Sequence, residues 1–479
     1  MQSGTPWICG THTCSGYAAD PQCSVYPGGN GAAWADLGGE LARQHPWRTA
    51  QFASGCGSYS PCPKNGRWGR PLSPQGEPMI AFEEARARVL QSVTPMLQSE
   101  MVPVHEALGR VLGQGAVAEF AVPNHDNSAM DGYGIRHADL HPQDAVTLHV
   151  CADLPAGDRL SQAIGAGQAV RIMTGAPIPA GVDCVVMQEV VQRVGDQVTI
   201  PAGQALGQNI RPAGEDIAKG ALYLNKGVRL TPAQLGLLTS MGQTSVAVFK
   251  RPRVAVLSTG NEVVRVGNPL RPGQVYDSNR TTLLTALQAL GVEVVDLGLV
   301  RDDRAAIREA LERGASQADA VISSGGVSVG DYDLVKAVLQ ELGQIDFWKV
   351  NMKPGKPQAY GTLGQARFFG LPGNPVSALA VFLLVVRPAL LKMMGVAEYV
   401  PPLLRLPLLE GRLRKKNNRV DFQRGLIRYD AQQPGVVSTG GQGSGMLSSM
   451  AAADCFIVLP AEAVDYAPGE LVTVQRIDY

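Results

Sequence analysis

Three short loops contain residues whose types and spacing could bind an anionic ligand. Each follows an apolar stretch, and the loops are Ser258-Thr-Gly-Asn-Glu262, Ser323-Ser-Gly-Gly-Val-Ser-Val-Gly-Asp331 and Leu371-Pro-Gly-Asn-Pro375. Glycines let backbone N–H groups approach a phosphate or a ring system closely, and serines add short hydrogen-bond donors. A Gly-Gly pair can also serve only a tight turn between a strand and a helix. Because three loops share this character, we interpret them as one binding site, with Ser323, Gly325, Gly326 and Ser328 as candidate contacts.

A basic segment follows the second loop. Lys349, Lys353 and Lys356 lie within eight residues, and the last two flank a Pro-Gly turn. Such a loop could hold phosphate or another oxyanion. A solvated basic loop is the usual interpretation of a charge run, but the neighbouring glycine-rich loops favour anion binding. The chain contains neither GxGxxG nor GxxxxGK[ST], so ordinary dinucleotide and ATPase sites are not indicated.

Several carboxylates could act beside such a phosphate. They are Asp131, Asp216, Glu262, Asp302, Asp331 and Asp333. Mg²⁺ prefers oxygen ligands and commonly takes one or two carboxylates together with substrate phosphate. Asp302 and Asp333 also stand where an aspartate could simply cap a helix. The histidines show no metal-binding spacing, and the early cysteines form no CxxC pair, so a zinc or iron–sulfur site is not predicted.

The elements that position these loops begin at Arg251. Apolar strands at 253–257, 292–297, 320–323 and 368–370 alternate with helical patterns at 281–290, 304–314, 334–342 and 376–394. This alternation predicts a parallel, doubly wound sheet. Ligands of such sheets bind outside the carboxyl ends of the strands. The three loops are therefore expected to meet at one edge.

The flanking regions read differently. An amphipathic helix is predicted from Ile80 to Leu97, short β segments fill residues 105–250, and short β segments return beyond Pro401. Residues 1–78 are rich in Gly, Pro and Ser and are expected to be a disordered leader or an over-extended start before Met79. The predicted class is a multidomain α/β plus β protein.

Charge and hydropathy suggest a cytoplasmic protein. The formal net charge is zero and the pI is about 7.0, so no overall field favours nucleic acid or an anionic membrane. No secretory signal is apparent. The apolar run Ala378–Val386 is shorter than the ~20 residues of a membrane span and is predicted to be a buried helix.

Taken together, the motifs resemble the MoeA family, which includes the gephyrin E-domain. The segments that carry the resemblance are NSAMDGYGIR (127–136), MTGAPIP (173–179), IRPAGEDI (210–217), LSTGNEVV (257–264), YDSNR (276–280), SSGGVSVGDYDLVK (323–336), FWKVNMKPGKP (347–357), GLPGNPVSAL (370–379) and RVDFQRG (419–425). They occur in family order, and they are jointly far more specific than any one of them. The resemblance covers residues 79–479.

The resemblance implies an elongated homodimer with four domains per subunit. These would be domain I at 79–125 and 218–250, an inserted β-rich domain II at 126–217, an α/β molybdopterin-binding domain III (the MoCF type) at 251–395, and a C-terminal β domain IV at 400–479. The implied reaction takes adenylylated molybdopterin and molybdate, releases AMP with the help of Mg²⁺, and forms molybdenum cofactor. Molybdopterin adenylyltransferase and molybdoenzyme maturation proteins are the implied transient partners.

The resemblance also implies roles for individual residues. The functional polar positions would be Asp131, Thr174, Asp216, Glu262, Asp302 and Asp333, with Asp333 and Glu262 as Mg²⁺ ligands. Substrate-binding residues would be Lys349, Lys353, Lys356, Pro372, Pro375, Arg419 and Ser444, in addition to the serines and glycines of the second loop.

Two other functions remain open at this stage. The first is adenylylation of molybdopterin by ATP, the reaction of a related single-domain family. The second is a non-catalytic molybdopterin-binding scaffold, since the gephyrin version of the fold also anchors receptor segments. The additional β domains and the Lys-Pro-Gly-Lys-Pro segment favour the insertion reaction, although tungstate could replace molybdate in the same chemistry.

Overall fold

A computed structural model describes residues 79–326, 334–429 and 433–479. The prediction for residues 1–78 therefore lies outside the described residues. The same holds for the candidate site residues Ser328, Asp331 and Asp333.

A six-stranded sheet forms the centre of the α/β region. Its strands in chain order are β1 (Arg253–Thr259), β2 (Glu293–Val300), β3 (Ala320–Ser324), β4 (Gly343–Lys349), β5 (Pro357–Leu363) and β6 (Ala366–Leu371). They lie side by side in the order β2-β1-β3-β6-β5-β4. Four strands, β2, β1, β3 and β6, are parallel to one another.

The four predicted strands are parallel, as expected, but the sheet continues at its other edge with two strands that the sequence analysis did not predict. Strand β5 runs antiparallel to β6, and β4 runs antiparallel to β5. Only Gly364 and Gln365 separate β5 from β6, and Gly364 has φ 57°. A two-residue turn with a leading glycine closes a hairpin and leaves no room for the crossover that parallel strands need.

Helices cover both faces of this sheet. They are α1 (Ser278–Leu290), α2 (Arg304–Gln317), α3 (Leu334–Leu342) and the helical run α4 (Pro375–Met393). Alternate residues of β1 point to opposite faces. Val256 packs in the cluster that contains Leu287 of α1, and Leu257 packs in the cluster that contains Leu311 of α2. The sheet is thus doubly wound, and its buried strands are apolar on both sides.

The run α4 is the apolar helix that the sequence predicts to be buried. It is long and apolar enough to cross a bilayer, but 94% of its most apolar window is buried inside the protein, which confirms the prediction of a core helix. Its middle, Phe382–Val386, is π-helical. Pro388 has no N–H to donate to the carbonyl of Leu384, and such a missing bond is a common cause of a local change in helical pitch.

The N-terminal region contributes a helix and several sheets. The helix Phe82–Ser92 is shorter than predicted, because Pro95 disfavours helical geometry at the residue before it. A second helix, Pro232–Ser240, follows later in this region. A second six-stranded sheet has the order Cys184–Met187, Gly132–Ile135, Gln168–Ile172, Val146–Leu154, Gln197–Ile200 and Gln192–Val194. Two-stranded pairs are Ser99–Pro103 with Ser245–Phe249, Ala116–Val117 with Leu222–Leu224, and Asn127–Ser128 with Ile210–Arg211.

The C-terminal region is mainly β, as predicted. One sheet has the order Met352–Lys353, Val420–Tyr429, Cys455–Leu459, Leu471–Arg476 and Leu403–Pro407, and Pro434–Ser438 pairs with Val420–Tyr429. A small antiparallel pair joins Leu413–Lys415 to Val464–Tyr466, and one short helix spans Leu447–Ala451. Since Met352–Lys353 adds a strand to this sheet, the basic segment after β4 connects the α/β region to the C-terminal region.

Candidate active-site cleft

A cavity of about 1180 Å³ lies at the carboxyl ends of the four parallel strands. The loops after β1, β2, β3 and β6 all line it, which is where an open parallel sheet places its ligands. Six predicted site residues are part of its wall: Glu262, Asp302, Gly325, Gly326, Pro372 and Pro375. The predicted residue Ser323 does not line the cavity, because its side chain is fully buried. The next residue, Ser324, lines the cavity instead.

Two adjacent aspartates after β2 have different surroundings. Asp303 caps α2, since its carboxylate accepts hydrogen bonds from the backbone N–H groups of Ala305 and Ala306. Asp302 lines the cavity, and its Oδ2 accepts a hydrogen bond from the backbone N–H of Asn261 at 3.0 Å. The loop after β1 is thereby joined to the loop after β2. Asp302 is therefore the aspartate that is available to a ligand.

The glycine pair after β3 can only be glycine. Both residues have positive φ, 93° at Gly325 and 70° at Gly326. A Cβ on Gly326 would lie 2.3 Å from Cγ2 of Val335, and one on Gly325 would lie 3.0 Å from the carbonyl oxygen of Thr259. The pair thus brings bare backbone to the cavity wall, as expected for close approach to a phosphate.

The start of α1 organises the cleft, and sequence analysis did not identify its residues as functional. Asp277 is buried and accepts hydrogen bonds from Oγ of Ser258 at 3.0 Å and from N and Nε of Arg280, both at 3.1 Å. Nδ2 of Asn279 donates to Oγ of Ser324 and to the carbonyl oxygen of Gly373, both at 2.8 Å. The loops after β1, β3 and β6 are thus tied to one helix N-terminus. An aspartate directly before a helical pattern, with Arg three residues later, was the available signal.

The three predicted lysines do not line the cleft. Their segment reaches the wall at Pro357, which directly follows Lys356. Nζ of Lys353 lies 3.3 Å from Oδ2 of Asp421, whose side chain is 4% exposed against 38% for Lys353. Lys349 ends β4, and its carbonyl oxygen accepts a hydrogen bond from the N–H of Ile80.

The C-terminal region also reaches the cleft. Gly445 lines the cavity, and the carbonyl oxygen of the predicted residue Ser444 accepts a hydrogen bond from the N–H of Val376 in α4 at 3.1 Å. Arg424, which is 1% exposed, donates to the carbonyl oxygens of Gly441, Gln442 and Gly443 at 3.1, 3.3 and 3.0 Å. A buried arginine therefore holds the loop that brings Ser444 to the cleft.

The predicted residue Arg419 belongs to a second braced loop. The buried Lys415 donates from Nζ to the carbonyl oxygens of Asn417, Arg419 and Ala461 at 2.8, 2.9 and 2.8 Å. Burial is the main cause that lowers the pKa of this lysine. Lys415 is engaged by three carbonyls, so the cations of this loop that remain accessible are the exposed Lys416 and the partly exposed Arg419.

Three predicted polar residues are not brought to the cleft within the chain. Oδ1 of Asp131 accepts hydrogen bonds from the backbone N–H and the hydroxyl of Thr174, both at 2.7 Å. The bond from the Thr174 N–H is the main cause that lowers the pKa of Asp131. Asp216 is exposed and donates its N–H to Val122. Asp131 and Thr174 therefore form one pair, while Asp216 stands apart.

The side chains of the cleft fit a metal cation that receives most of its oxygen ligands from the bound substrate. Within residues 79–326, 334–429 and 433–479, no group of three or more His, Cys, Asp or Glu side chains could hold a metal ion by itself. Of the three carboxylates in the wall, Asp277 is buried and bonded to Ser258 and Arg280, whereas Glu262 and Asp302 could meet a ligand. Mg²⁺ is commonly bound by one or two carboxylates together with substrate phosphates, so these residues fit that mode.

Comparison with known proteins identifies the family. Models of the MoeA N-terminal region (domains I and II), a probable molybdopterin-binding domain and the MoeA C-terminal region (domain IV) match residues 80–242, 255–392 and 408–477. The molybdopterin molybdenumtransferase of Haemophilus influenzae is 43% identical over 403 residues, which cover 84% of this chain and 99% of that protein. Molybdopterin molybdenumtransferase 2 of Mycobacterium tuberculosis is 37% identical over 396 residues, 81% of this chain and 97% of that protein.

A solved structure agrees with these matches. The crystal structure of the molybdopterin biosynthesis moeA protein from Pyrococcus horikoshii OT3 has a TM-score of 0.73 and 30% identity, and it covers 83% of this chain and 100% of that one. The predicted family and fold class are confirmed, with the α/β region flanked by the N-terminal and C-terminal regions. On these grounds the chain belongs to the MoeA family.

Proposed function

We propose that the protein is a molybdopterin molybdenumtransferase. It takes adenylylated molybdopterin and molybdate, cleaves the pyrophosphate bond with release of AMP, and leaves molybdenum on the dithiolene sulfurs. The observation that carries the proposal is the cleft at the strand ends, which Glu262 and Asp302 line together with Gly325 and Gly326, within the region matched to molybdopterin binding. The names of the aligned relatives support the same activity.

The glycine-lined part of the cleft would bind the phosphates of the substrate. Backbone N–H groups in a concave, positive-φ loop form a natural anion site. Asn279 holds Ser324 and Gly373 together, so the walls of this pocket are fixed before the ligand arrives. A preorganised pocket needs no rearrangement as charge develops on the phosphates. The cavity volume of about 1180 Å³ is sufficient for a pterin joined to a nucleotide.

The carboxylates would bind Mg²⁺ at the pyrophosphate bond that is cleaved. Glu262 and Asp302 would hold Mg²⁺ together with the substrate, and Asp333 is proposed as a further ligand. When bound, Mg²⁺ neutralises charge on the pyrophosphate oxygens. Attack by water at phosphorus breaks one P–O bond and gives AMP and the phosphate of molybdopterin. Attack by a molybdate oxygen would break the same bond but leave a P–O–Mo link on one product, which water would then hydrolyse. No protein nucleophile is required for this balance.

The basic residues would hold the oxyanions. We assign molybdate and phosphate binding to Lys349, Lys353, Lys356, Arg419 and Ser444, with Pro372 and Pro375 shaping the adjacent loop. Asp421 holds the ammonium group of Lys353 near the junction of the two regions. Molybdate binding at this junction would place the metal oxyanion beside the phosphates. Tungstate has the same charge and chemistry and would compete.

The assembly is proposed to be a cytoplasmic homodimer of four-domain subunits with the domain limits given above. Asp131, Thr174 and Asp216 lie outside the cleft wall of their own chain. In a homodimer they would complete the cleft of the other subunit. Transient contact with molybdopterin adenylyltransferase and molybdoenzyme maturation proteins would hand over substrate and product.

The adjacent aspartates offer a sharp test. Asp302→Asn keeps size and removes the charge in the cleft, and we expect AMP release from adenylylated molybdopterin to fall at least a hundredfold, about 2.7 kcal/mol of lost transition-state stabilisation. Asp303→Asn is the matched control, because asparagine caps helices as well as aspartate does. It should remain within threefold of the wild type.

Three results would reject the proposal. Equal losses in Asp302→Asn and Asp303→Asn would show that the charge of Asp302 has no special role. Formation of adenylylated molybdopterin and pyrophosphate from ATP and molybdopterin would identify an adenylyltransferase, and substrate binding without cleavage would identify a scaffold.

A further inference from the structure

A second cavity, of about 460 Å³, lies between the loop at residues 225–229 and the carboxyl-terminal half of α4. Its wall includes Arg229, Arg387, Lys226 and Tyr399. Arg387 is 5% exposed, although arginine is rarely buried without a partner. None of the loops that line the active-site cleft lines this second cavity.

The two arginines have hydrogen bonds but no carboxylate partners among the described residues. Arg229 donates from Nε to the carbonyl oxygen of Gly109 at 3.3 Å and from Nη2 to that of Leu290 at 3.0 Å. Arg387 donates from Nη1 to the hydroxyl of Tyr399 at 2.9 Å, and its guanidinium lies 5.2 Å from the centre of that ring. Its Nε is buried without an acceptor.

The charge of this cavity is not balanced. Arg229 and Arg387 are supplemented by Lys226, whose ammonium lies over the ring of Phe249, while Glu398 is the acidic residue of the wall. Burial, followed by repulsion from Arg387, lowers the pKa of Arg229. Buried charges in proteins are normally paired. The wall therefore contains three cations and one carboxylate, and the buried Arg387 and the partly buried Arg229 have no carboxylate partner among the described residues.

We propose that this cavity is a binding site for a tetrahedral oxyanion or a phosphoryl group. Guanidinium groups present planar sets of N–H donors that match the oxygens of such anions. An anion between Arg229 and Arg387 would accept the remaining donors and offset their repulsion. The loop at 225–229 and α4 would both contact it, so binding would join the N-terminal region to the core of the α/β region.

This site is separate from the cleft. Pro375 lines the cleft at the start of α4, and Arg387 follows twelve residues later, about 18 Å along a helix that rises 1.5 Å per residue. Both sites thus share one buried helix but no wall residue. Anion binding at Arg387 is accordingly distinct from substrate binding at the cleft.

Calorimetric titration of the full chain with sodium phosphate tests the proposal. Arg387→Met and Arg229→Met, each retaining a long apolar stem, should lower phosphate binding by one ion per chain or weaken that ion at least tenfold. Arg428→Met is the matched control, because it removes the same charge from an exposed side chain. Circular dichroism identifies the variants that fold. One folded variant, Arg387→Met or Arg229→Met, is sufficient for the test.

A parallel titration with AMP separates the two sources of this chemistry. A nucleotide site predicts AMP binding at least tenfold tighter than phosphate and lost in the same variants, whereas a free-oxyanion site predicts equal or weaker AMP binding. Unchanged phosphate and AMP binding in folded Arg387→Met or Arg229→Met would overturn the proposal. The proposal would also be overturned if the wild type binds neither phosphate nor AMP at this cavity and Arg387→Met weakens self-association. In that case a carboxylate of a second copy of the chain would occupy the cavity.

Discussion

At the scale of single residues, neighbouring identical side chains can have different roles. Asp302 and Asp303 are adjacent in sequence, and the sequence alone allows either one to be a helix cap. Backbone direction at the start of α2 decides the matter, since Asp303 caps the helix and Asp302 lines the cleft. Such a distinction depends on where the helix begins to within one residue, which sequence patterns do not resolve.

The pair of Asp131 and Thr174 yields a prediction about ionisation. Hydrogen bonds from Thr174 favour the charged carboxylate and lower its pKa. Thr174→Val removes the hydroxyl donor, so the pKa of Asp131 should rise toward its ordinary value, while Thr174→Ser should leave it low. Carboxyl-carbon NMR titration measures the difference.

The lowered pKa of Asp131 also predicts how the stability of the protein changes with pH. A carboxyl whose folded-state pKa is lowered stabilises the fold above its unfolded-state pKa, and this contribution disappears as the pH falls through the folded-state value. Wild type should therefore lose more stability on acidification than Thr174→Val. An identical Asp131 pKa in wild type and Thr174→Val would contradict the assigned hydrogen bond.

The glycine pair after β3 gives a prediction about packing. Gly326→Ala would place a methyl group 2.3 Å from Cγ2 of Val335 at a φ of 70°. We expect a loss of about 2 kcal/mol or more in the free energy of unfolding, together with weaker substrate binding. Urea denaturation and substrate titration provide the measurements.

A helical glycine supplies the control. Gly236 lies within the helix Pro232–Ser240, and a Cβ there would meet nothing within 4 Å. Gly236→Ala should stabilise the protein by about 0.5–1 kcal/mol, because alanine is the better helix former. A Gly326→Ala protein as stable as Gly236→Ala, with normal binding, would rule out the proposed need for glycine.

At the scale of elements, the loop at residues 440–445 depends on one arginine. Arg424→Met would leave three backbone carbonyls without their charged donor, and hydrogen bonds to charged groups contribute about 1.5–3 kcal/mol each. We expect unfolding to become easier by about 3 kcal/mol and the KM for molybdate to rise, since Ser444 and Gly445 lie in this loop. Steady-state kinetics and urea denaturation test both effects.

The exposed neighbour Arg428 provides the comparison on the same strand. Its side chain is 55% exposed and pairs with Glu410, and surface pairs contribute about 0–1 kcal/mol. Arg428→Met should therefore be nearly neutral in stability and kinetics. Equal effects of Arg424→Met and Arg428→Met would refute the bracing role of Arg424.

Most elements of the α/β and C-terminal regions follow from local sequence patterns. The helix Leu334–Leu342 and the strand Cys455–Leu459 have the predicted limits, because apolar periodicity is strong there. The hairpin at Gly364 was missed, since short apolar runs do not reveal strand direction. Arg424 and Asp277 were missed as organising residues because their partners come close only in the folded chain. Ser449 lies 25 residues from Arg424, and Ser258 lies 19 residues from Asp277.

At the scale of the whole molecule, the candidate site is assembled from distant parts of the chain. The cleft wall extends from Ser258 to Gly445, so its convergence depends on the parallel half of the central sheet and on the contact between Ser444 and α4. The sequence could predict that the loops after parallel strands meet at one edge. It could not predict that Asp131 and Thr174 stay outside that edge, because their position depends on tertiary packing of the second sheet.

The most direct test of the proposed function is the stoichiometry of one turnover. Purified protein is incubated with adenylylated molybdopterin, Mg²⁺ and molybdate, and both AMP and molybdenum bound to the dithiolene are measured. We predict one AMP for each molybdenum inserted, with neither product formed when molybdate or Mg²⁺ is omitted. AMP release at an undiminished rate without molybdate, or AMP release with no molybdenum on the pterin, would contradict the account.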